Sequence, residues 1–419
     1  MSVCTPCKRR SRAPFFVQRS KECGSPARES LLDKDVALRR LSDTIAHLSQ
    51  LRGLAAGSPH HAEASRLKEL GTFGSNPGRL RASTYVPADL AKSPALVVVL
   101  HGCTQTAAGY DVGSGWSQLA DRYGFVLLFP EQQRQNNPNL CFNWFSAEDN
   151  RREGGEALSI RQMIAAVANQ HDIDPARIFV TGLSAGGAMA SVMLASYPEL
   201  FAGGAIIAGL PYGCADTVPE ALGLMRGSGG QGEAELARLV RTASDHGGPW
   251  PTISIWHGSG DATVNPVNAD AIISQWRALH GVGLEPDRTE PVDGYPRRVW
   301  RNDDGRDVIE EYSITGMGHG TPLDTLSDDG CGRSGAYMLE ASISSTHRIC
   351  EFWGLATDKP LSPSENAVPA SATLVRTTTN HHPLSVTPLD QPPKVAMPAD
   401  PSGVGRIIED ALRAAGLMR

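Results

Sequence analysis

Between about residue 70 and residue 356, short apolar runs alternate with longer stretches of helix-forming character. The runs at 95–100, 125–129, 178–182, 204–208, 252–256 and 308–314 are strand-like. Each has strand length and is bounded by polar or glycine-rich segments. Helices are expected between them at 114–123, 157–170, 186–197, 265–280 and 341–354. This alternation predicts an α/β fold with a mostly parallel central sheet and helices on both faces, in which functional side chains gather at the carboxyl ends of the strands. Residues 210–250, rich in Gly and Ala, read as an insertion that forms a partial lid.

The flanking segments carry different patterns. In residues 1–69, Leu41, Ile45 and Leu48 recur at helical spacing after Leu38, which predicts an amphipathic helix in an N-terminal extension. Cys4 and Cys7 form a C-x-x-C with Cys23 nearby but no fourth Cys or His close by, whereas structural zinc needs four ligands, so these read as tail thiols. Residues 357–402 hold nine of the 29 prolines and read as a linker in which His381 and His382 are a solvated pair. A short C-terminal helix is expected over 403–419, where Val404, Ile407, Ile408, Ala411 and Leu412 share one face.

Composition narrows the class. The chain has 419 residues, 41% hydrophobic and 20% charged, with a net charge of −6, and gives no basis for nucleic-acid binding. It has no run of about 18 apolar residues that would cross a bilayer. A soluble enzyme acting on an uncharged or mildly charged small molecule or oligomer fits, and no metal or cofactor is required.

The chemistry centres on Gly182-Leu-Ser184-Ala-Gly186, at the junction of the 178–182 strand and the 186–197 helix. A G-x-S-x-G elbow holds its serine in a strained turn above a helix N-terminus, where developing negative charge is favoured. A serine hydroxyl needs an imidazole to take its proton and a carboxylate to fix that imidazole's tautomer. In α/β-hydrolases the order along the chain is Ser, acid, His. The strand ending in His257-Gly-Ser-Gly-Asp261 supplies the acid, and the one ending in Gly316-Met-Gly-His319-Gly supplies the base. Asp261 has an alternative reading as a cap of the helix beginning near Asn265, and His257 reads as packed or backbone-bonded. The oxyanion donors expected are the backbone N–H groups of Ala185 and Cys103, with Thr104 as the alternative to Cys103. Cys103 lacks an elbow and is not expected to be a nucleophile.

Several segments together resemble the poly(3-hydroxybutyrate) depolymerase family of esterases. They are Phe73-Gly-Ser-Asn-Pro-Gly-Arg-Leu, His101-Gly-Cys-Thr-Gln-Thr, Pro130-Glu-Gln, Cys141-Phe-Asn-Trp-Phe, the elbow itself, and Gly316-Met-Gly-His-Gly. The resemblance covers roughly residues 70–356 and implies an α/β-hydrolase that cleaves esters, with Ser184, Asp261 and His319 as its triad. Substrates implied are 3-hydroxybutyrate oligomers or similar short-chain esters, with acetyl or feruloyl groups of plant polysaccharides as the alternative. From another class, a non-catalytic binding protein on this fold would be expected to lack a triad member. An acyltransferase would need a site dry enough to protect the acyl-enzyme.

Trp144 and Gln105 are candidate substrate contacts, Trp144 being equally readable as a core aromatic. The family is often exported, which allows Cys103 and Cys141 to pair as a disulfide bracing the oxyanion loop. Other pairings among Cys214, Cys331 and Cys350, or free buried thiols, are also open. The N-terminal basic residues are followed by no apolar run of seven or more, so no Sec-type signal peptide is visible. That favours a cytoplasmic location, whereas the resemblance allows an extracellular one. No aromatic-rich module for adsorbing to polymer granules is evident, which puts soluble oligomers beside solid polymer as substrates.

Overall fold

A computed structural model describes residues 65–356. The helix expected after Leu38, the thiols Cys4, Cys7 and Cys23, the linker 357–402 and the helix 403–419 lie outside the described residues.

Ten strands form one sheet. Two short strands, β1 (Lys68–Glu69) and β2 (Arg81–Tyr85), lie at one edge. The centre is β3 (Leu96–Leu100), β4 (Val126–Glu131), β5 (Ile178–Leu183), β6 (Gly203–Ile207) and β7 (Thr252–Gly258). The far side is β8 (Arg288–Val292), β9 (Tyr295–Arg301) and β10 (Asp307–Ile314). The spatial order is β1-β2-β4-β3-β5-β6-β7-β10-β9-β8. Neighbours from β4 through β10 run parallel, while β1, β2, β9 and β8 pair antiparallel.

The strand β3, Leu96-Val-Val-Val-Leu100, is buried along its whole length, because a parallel strand covered on both faces has no solvent side to carry polar residues. Its two-residue period splits it between two cores. Leu96, Val98 and Leu100 join one cluster with residues of α3 (Gly155–His171) and α4 (Ala185–Ser196). Val97 and Val99 join the other with residues of α1 (Ala107–Ser114) and α2 (Trp116–Tyr123).

Several features differ from the sequence expectation, among them the edge strands β1 and β2, which lie outside the expected runs. The helix expected at 114–123 is α2, and an unexpected helix, α1, precedes it, the two meeting at Gly115 in a left-handed conformation (φ 78°). A Cβ there would also run into Cys331 and Gly332, so glycine is required twice over. The 210–250 insertion forms α5 (Val218–Met225) and α6 (Glu233–Arg241). Their Ala221, Leu224, Ala237 and Val240 enter the first core beside α7 (Val267–His280), so these helices are part of the body and not a lid. The β8–β9 hairpin extends the sheet beyond the expected strands. A small parallel pair, β11 (Thr321–Leu323) and β12 (Met338–Glu340), follows His319 directly, and α8 (Ser345–Phe352) closes the second face.

Candidate active site

The elbow forms where β5 meets α4. Ser184 has φ 58° and ψ −118°, a positive-φ conformation that costs a non-glycine residue on the order of 1–3 kcal/mol and is held by its surroundings. One restraint is the Ser184 N–H, which donates to Ile207 O at 2.9 Å on the neighbouring strand. The flanking glycines are steric necessities. A Cβ on Gly182 would meet the Gly186 backbone, and one on Gly186 would meet the carbonyl oxygens of Leu100 and His101. The second contact seats the start of α4 against the end of β3, so the 101–105 loop and the serine are neighbours. Ala185, at the first helical position, has its N–H among the orphan donors of the helix end.

Asp261 lies after β7 and His319 after β10, adjacent parallel strands. The two loops interlock: Gly260 N–H donates to Met317 O at 3.0 Å, and Gly316 N–H donates to Ser259 Oγ at 2.8 Å. His319 Nδ1–H then donates to Asp261 Oδ2 at 2.7 Å. A carboxylate can only accept, so Nδ1 carries the proton and Nε2 keeps its lone pair. The other oxygen, Oδ1, accepts from the N–H groups of Thr263 (2.8 Å) and Val264 (2.9 Å). Asp261 thus closes a turn and orients an imidazole, whereas α7 starts later, at Val267.

His257 is buried, and its Nε2–H donates to Val264 O at 2.8 Å while lying 3.5 Å from Asp261 Oδ2. Burial alone would push the Asp261 carboxyl up. The neighbouring His257 imidazole at 3.5 Å, the hydrogen bond from His319 and the Val264 N–H outweigh it and hold the group well below the usual carboxylate range. Among the described residues, His319 is hydrogen-bonded to Asp261 and not to the Ser184 hydroxyl.

The two backbone N–H groups weighed as oxyanion donors, those of Cys103 and Thr104, differ in their bonding. Thr104 N–H donates to Asn139 O at 2.6 Å, so it is already engaged; the Cys103 N–H makes no such bond among the described residues. Cys103 is joined to Cys141 by a disulfide, and Cys214, Cys331 and Cys350 are free thiols. Gln105, expected as a substrate contact, has its Oε1 accepting from Gly102 N–H at 2.8 Å, so it braces the loop from within. Trp144 is buried among core residues, edge-on to Phe145, which is the packing half of its two readings.

Sequence reasoning missed three side chains behind this loop. His101 Nδ1 is 2.8 Å from Gly102 O, and Gln132 N–H donates to His101 Nε2 at 3.1 Å. The Gln132 side chain donates to Glu156 Oε1, and Glu156 Oε2 accepts from Asn143 N–H at 2.9 Å. His101 and Gln132 stand in segments quoted above only for the family resemblance, and nothing in the sequence marked Glu156. Among the described residues, no group of three or more His, Cys, Asp or Glu side chains is arranged to hold a metal ion.

The family described as Esterase PHB depolymerase matches residues 80–286. Poly(3-hydroxyalkanoate) depolymerase C of Paucimonas lemoignei is 45% identical over 291 residues, covering 69% of this chain and 70% of that protein. The chain belongs to the poly(3-hydroxybutyrate) depolymerase family of esterases. Other relatives of this depolymerase-family esterase carry different names. Feruloyl esterase B of Talaromyces funiculosus is 32% identical over 270 residues, 62% of this chain and 75% of that protein. The solved acetyl xylan esterase from Aspergillus awamori superposes with a TM-score of 0.59 at 27% identity, over 69% of this chain and 99% of that one. This depolymerase-family esterase is a carboxylic ester hydrolase on the α/β-hydrolase fold, and its sheet carries the antiparallel additions described above.

Proposed function

We propose that the protein hydrolyses its esters through an acyl-enzyme on Ser184, with His319 as general base and Asp261 as the group that orients it. His319 Nε2 takes the Ser184 proton as Oγ bonds to the ester carbonyl carbon, and the carbonyl oxygen becomes an oxyanion facing the N–H groups of Cys103 and Ala185. The C–O bond to the alcohol then breaks, and His319 returns the proton to the departing oxygen. A water, deprotonated by His319, then attacks the acyl carbon, and the bond to Oγ breaks as His319 returns that proton to it, which releases the acid and free Ser184.

The observation that carries this reading is the protonated Nδ1 of His319 held at 2.7 Å on Asp261, which leaves Nε2 as the basic nitrogen. Hydrogen bonds between base and nucleophile are commonly long without substrate and tighten when it binds.

For the substrate we favour 3-hydroxyalkanoate esters, as soluble oligomers. The support is the 45% identity to a poly(3-hydroxyalkanoate) depolymerase over 69% of the chain. A second reading, deacylation of acetylated or feruloylated polysaccharide, is supported by the 99% coverage of the acetyl xylan esterase structure. Initial rates on 3-hydroxybutyrate oligomers, p-nitrophenyl esters and acetylated xylan, for wild type and Ser184→Ala, test both. Oligomer cleavage that falls by at least about 10³-fold in Ser184→Ala is expected. Full activity in that variant overturns the mechanism, and a strong preference for acetylated xylan transfers the substrate to the second reading.

A further inference from the structure

His101 stands immediately before the oxyanion loop and has no role in the proton transfers above. It is 1% exposed, and its ring lies 5.0 Å from that of Phe142. Both nitrogens are engaged, and the partners fix the tautomer. Gly102 O can only accept, so Nδ1 carries the proton; Gln132 N–H can only donate, so Nε2 is the bare nitrogen. Burial pushes the imidazole below its ordinary range, which keeps it in this neutral form.

The bond has a direct geometric consequence. Gly102 C=O and Cys103 N–H belong to one planar trans peptide, in which the carbonyl and the N–H point in opposite directions. Whatever fixes the Gly102 oxygen therefore aims the Cys103 N–H. That oxygen is held from two sides, by His101 Nδ1–H at 2.8 Å and by Gln105 N–H at 3.3 Å. His101 is in turn tied through Gln132 to buried Glu156 at the start of α3, so the chain of bonds ends in a core helix.

Resting on the reading of Cys103 as an oxyanion donor, we propose that His101 is a positioning residue that locks the 102–103 peptide with the Cys103 N–H directed at the oxyanion. A donor placed beforehand stabilises charge at the moment it forms without reorganising, whereas a freely swinging peptide does not. The effect belongs to the transition state, so it appears in kcat and not in KM.

The test compares His101→Leu, His101→Asn and His101→Gln. Leucine removes both contacts. The Asn amide N–H reaches the position of Nδ1 and keeps the bond to Gly102 O, while Gln reaches the position of Nε2 and keeps only the side facing Gln132. For each protein, kcat and KM are measured on a p-nitrophenyl ester, with the inhibition constant of a boronic acid, whose boron takes up the serine oxygen to give a tetrahedral anion. The expected result is a kcat loss of about 10²-fold for Leu and Gln with KM within about threefold. The boronic acid should weaken in parallel, and Asn should recover most of both losses.

Equal impairment of Asn and Gln, or losses that fall in KM, would overturn the proposal, and the Asn and Gln pair decides it if the Leu protein does not fold. His101→Leu with unchanged kcat beside an inert Ser184→Ala overturns this inference alone. Ser184→Ala with full activity overturns the underlying mechanism and this inference with it.

Discussion

Asp261 meets His319 through a single oxygen: Oδ2 accepts from Nδ1–H at 2.7 Å, while Oδ1 is held by the N–H groups of Thr263 and Val264. This division of labour separates orienting the base from holding the loop. Asp261→Asn keeps the shape but can present N–H to Nδ1, which drives the imidazole to the wrong tautomer. A kcat loss of roughly 10⁴-fold with a folded protein is expected, read by initial rates beside circular dichroism. A loss under tenfold would remove Asp261 from the mechanism.

Gly186 tests the seating of the elbow on β3. Its missing side chain faces the carbonyl oxygens of Leu100 and His101, which are backbone atoms that cannot swing aside. Gly186→Ala should push α4 away from the oxyanion loop and cut kcat by about 10²-fold or more, the cost of misplacing a site by about 1 Å. An Ala variant with wild-type rates would mean that this contact is relaxed in solution.

The Cys103–Cys141 disulfide, spanning 38 residues, ties the oxyanion loop to the 139–142 segment. Reduction under native conditions should lower stability by about 2–4 kcal/mol and lower kcat with it. Thermal unfolding and initial rates with and without dithiothreitol measure both. Unchanged values with the thiols confirmed free would make the link dispensable.

Glu156 gives a pH dependence. Burial first, then the neighbouring Asp149 carboxylate, pushes its pKa up to about 8 against the hydrogen bonds from Asn143 and Gln132. The unfolded chain loses this proton near pH 4.3, so between about 4.3 and 8 the folded state binds more protons than the unfolded one. Stability through this group therefore falls as pH rises across that window, and the penalty is complete above 8. Glu156→Gln carries no charge, and its urea-unfolding free energy should decline less between pH 5 and pH 8.5 than that of wild type. An identical decline would assign the slope to other groups.

The parallel centre was legible because its physics is local. A strand covered on both faces must be apolar throughout, as β3 is, and a loop that presents a side chain needs glycines beside it, as Ser184 and His319 have. The β8–β9 hairpin was illegible for the opposite reason. Arg288, Glu290, Arg297 and Arg298 sit on partly exposed strands and neutralise one another or Glu310 and Glu311, so no apolar run marks them. The engagement of the Thr104 N–H was also beyond the sequence, because it depends on Asn139 O meeting it across the loop. The same holds for Gln105, whose side chain turns back on Gly102, and for the approach of His257 to Asp261.

The most direct measurement is the intact mass of the protein quenched in acid within milliseconds of mixing with a p-nitrophenyl ester, followed by peptide mapping. One acyl group on the peptide holding Ser184, absent from Ser184→Ala and discharged by water at the rate of turnover, is the expected result. Turnover with no adduct at any time point and an unimpaired Ser184→Ala, or an adduct on another residue, would contradict it.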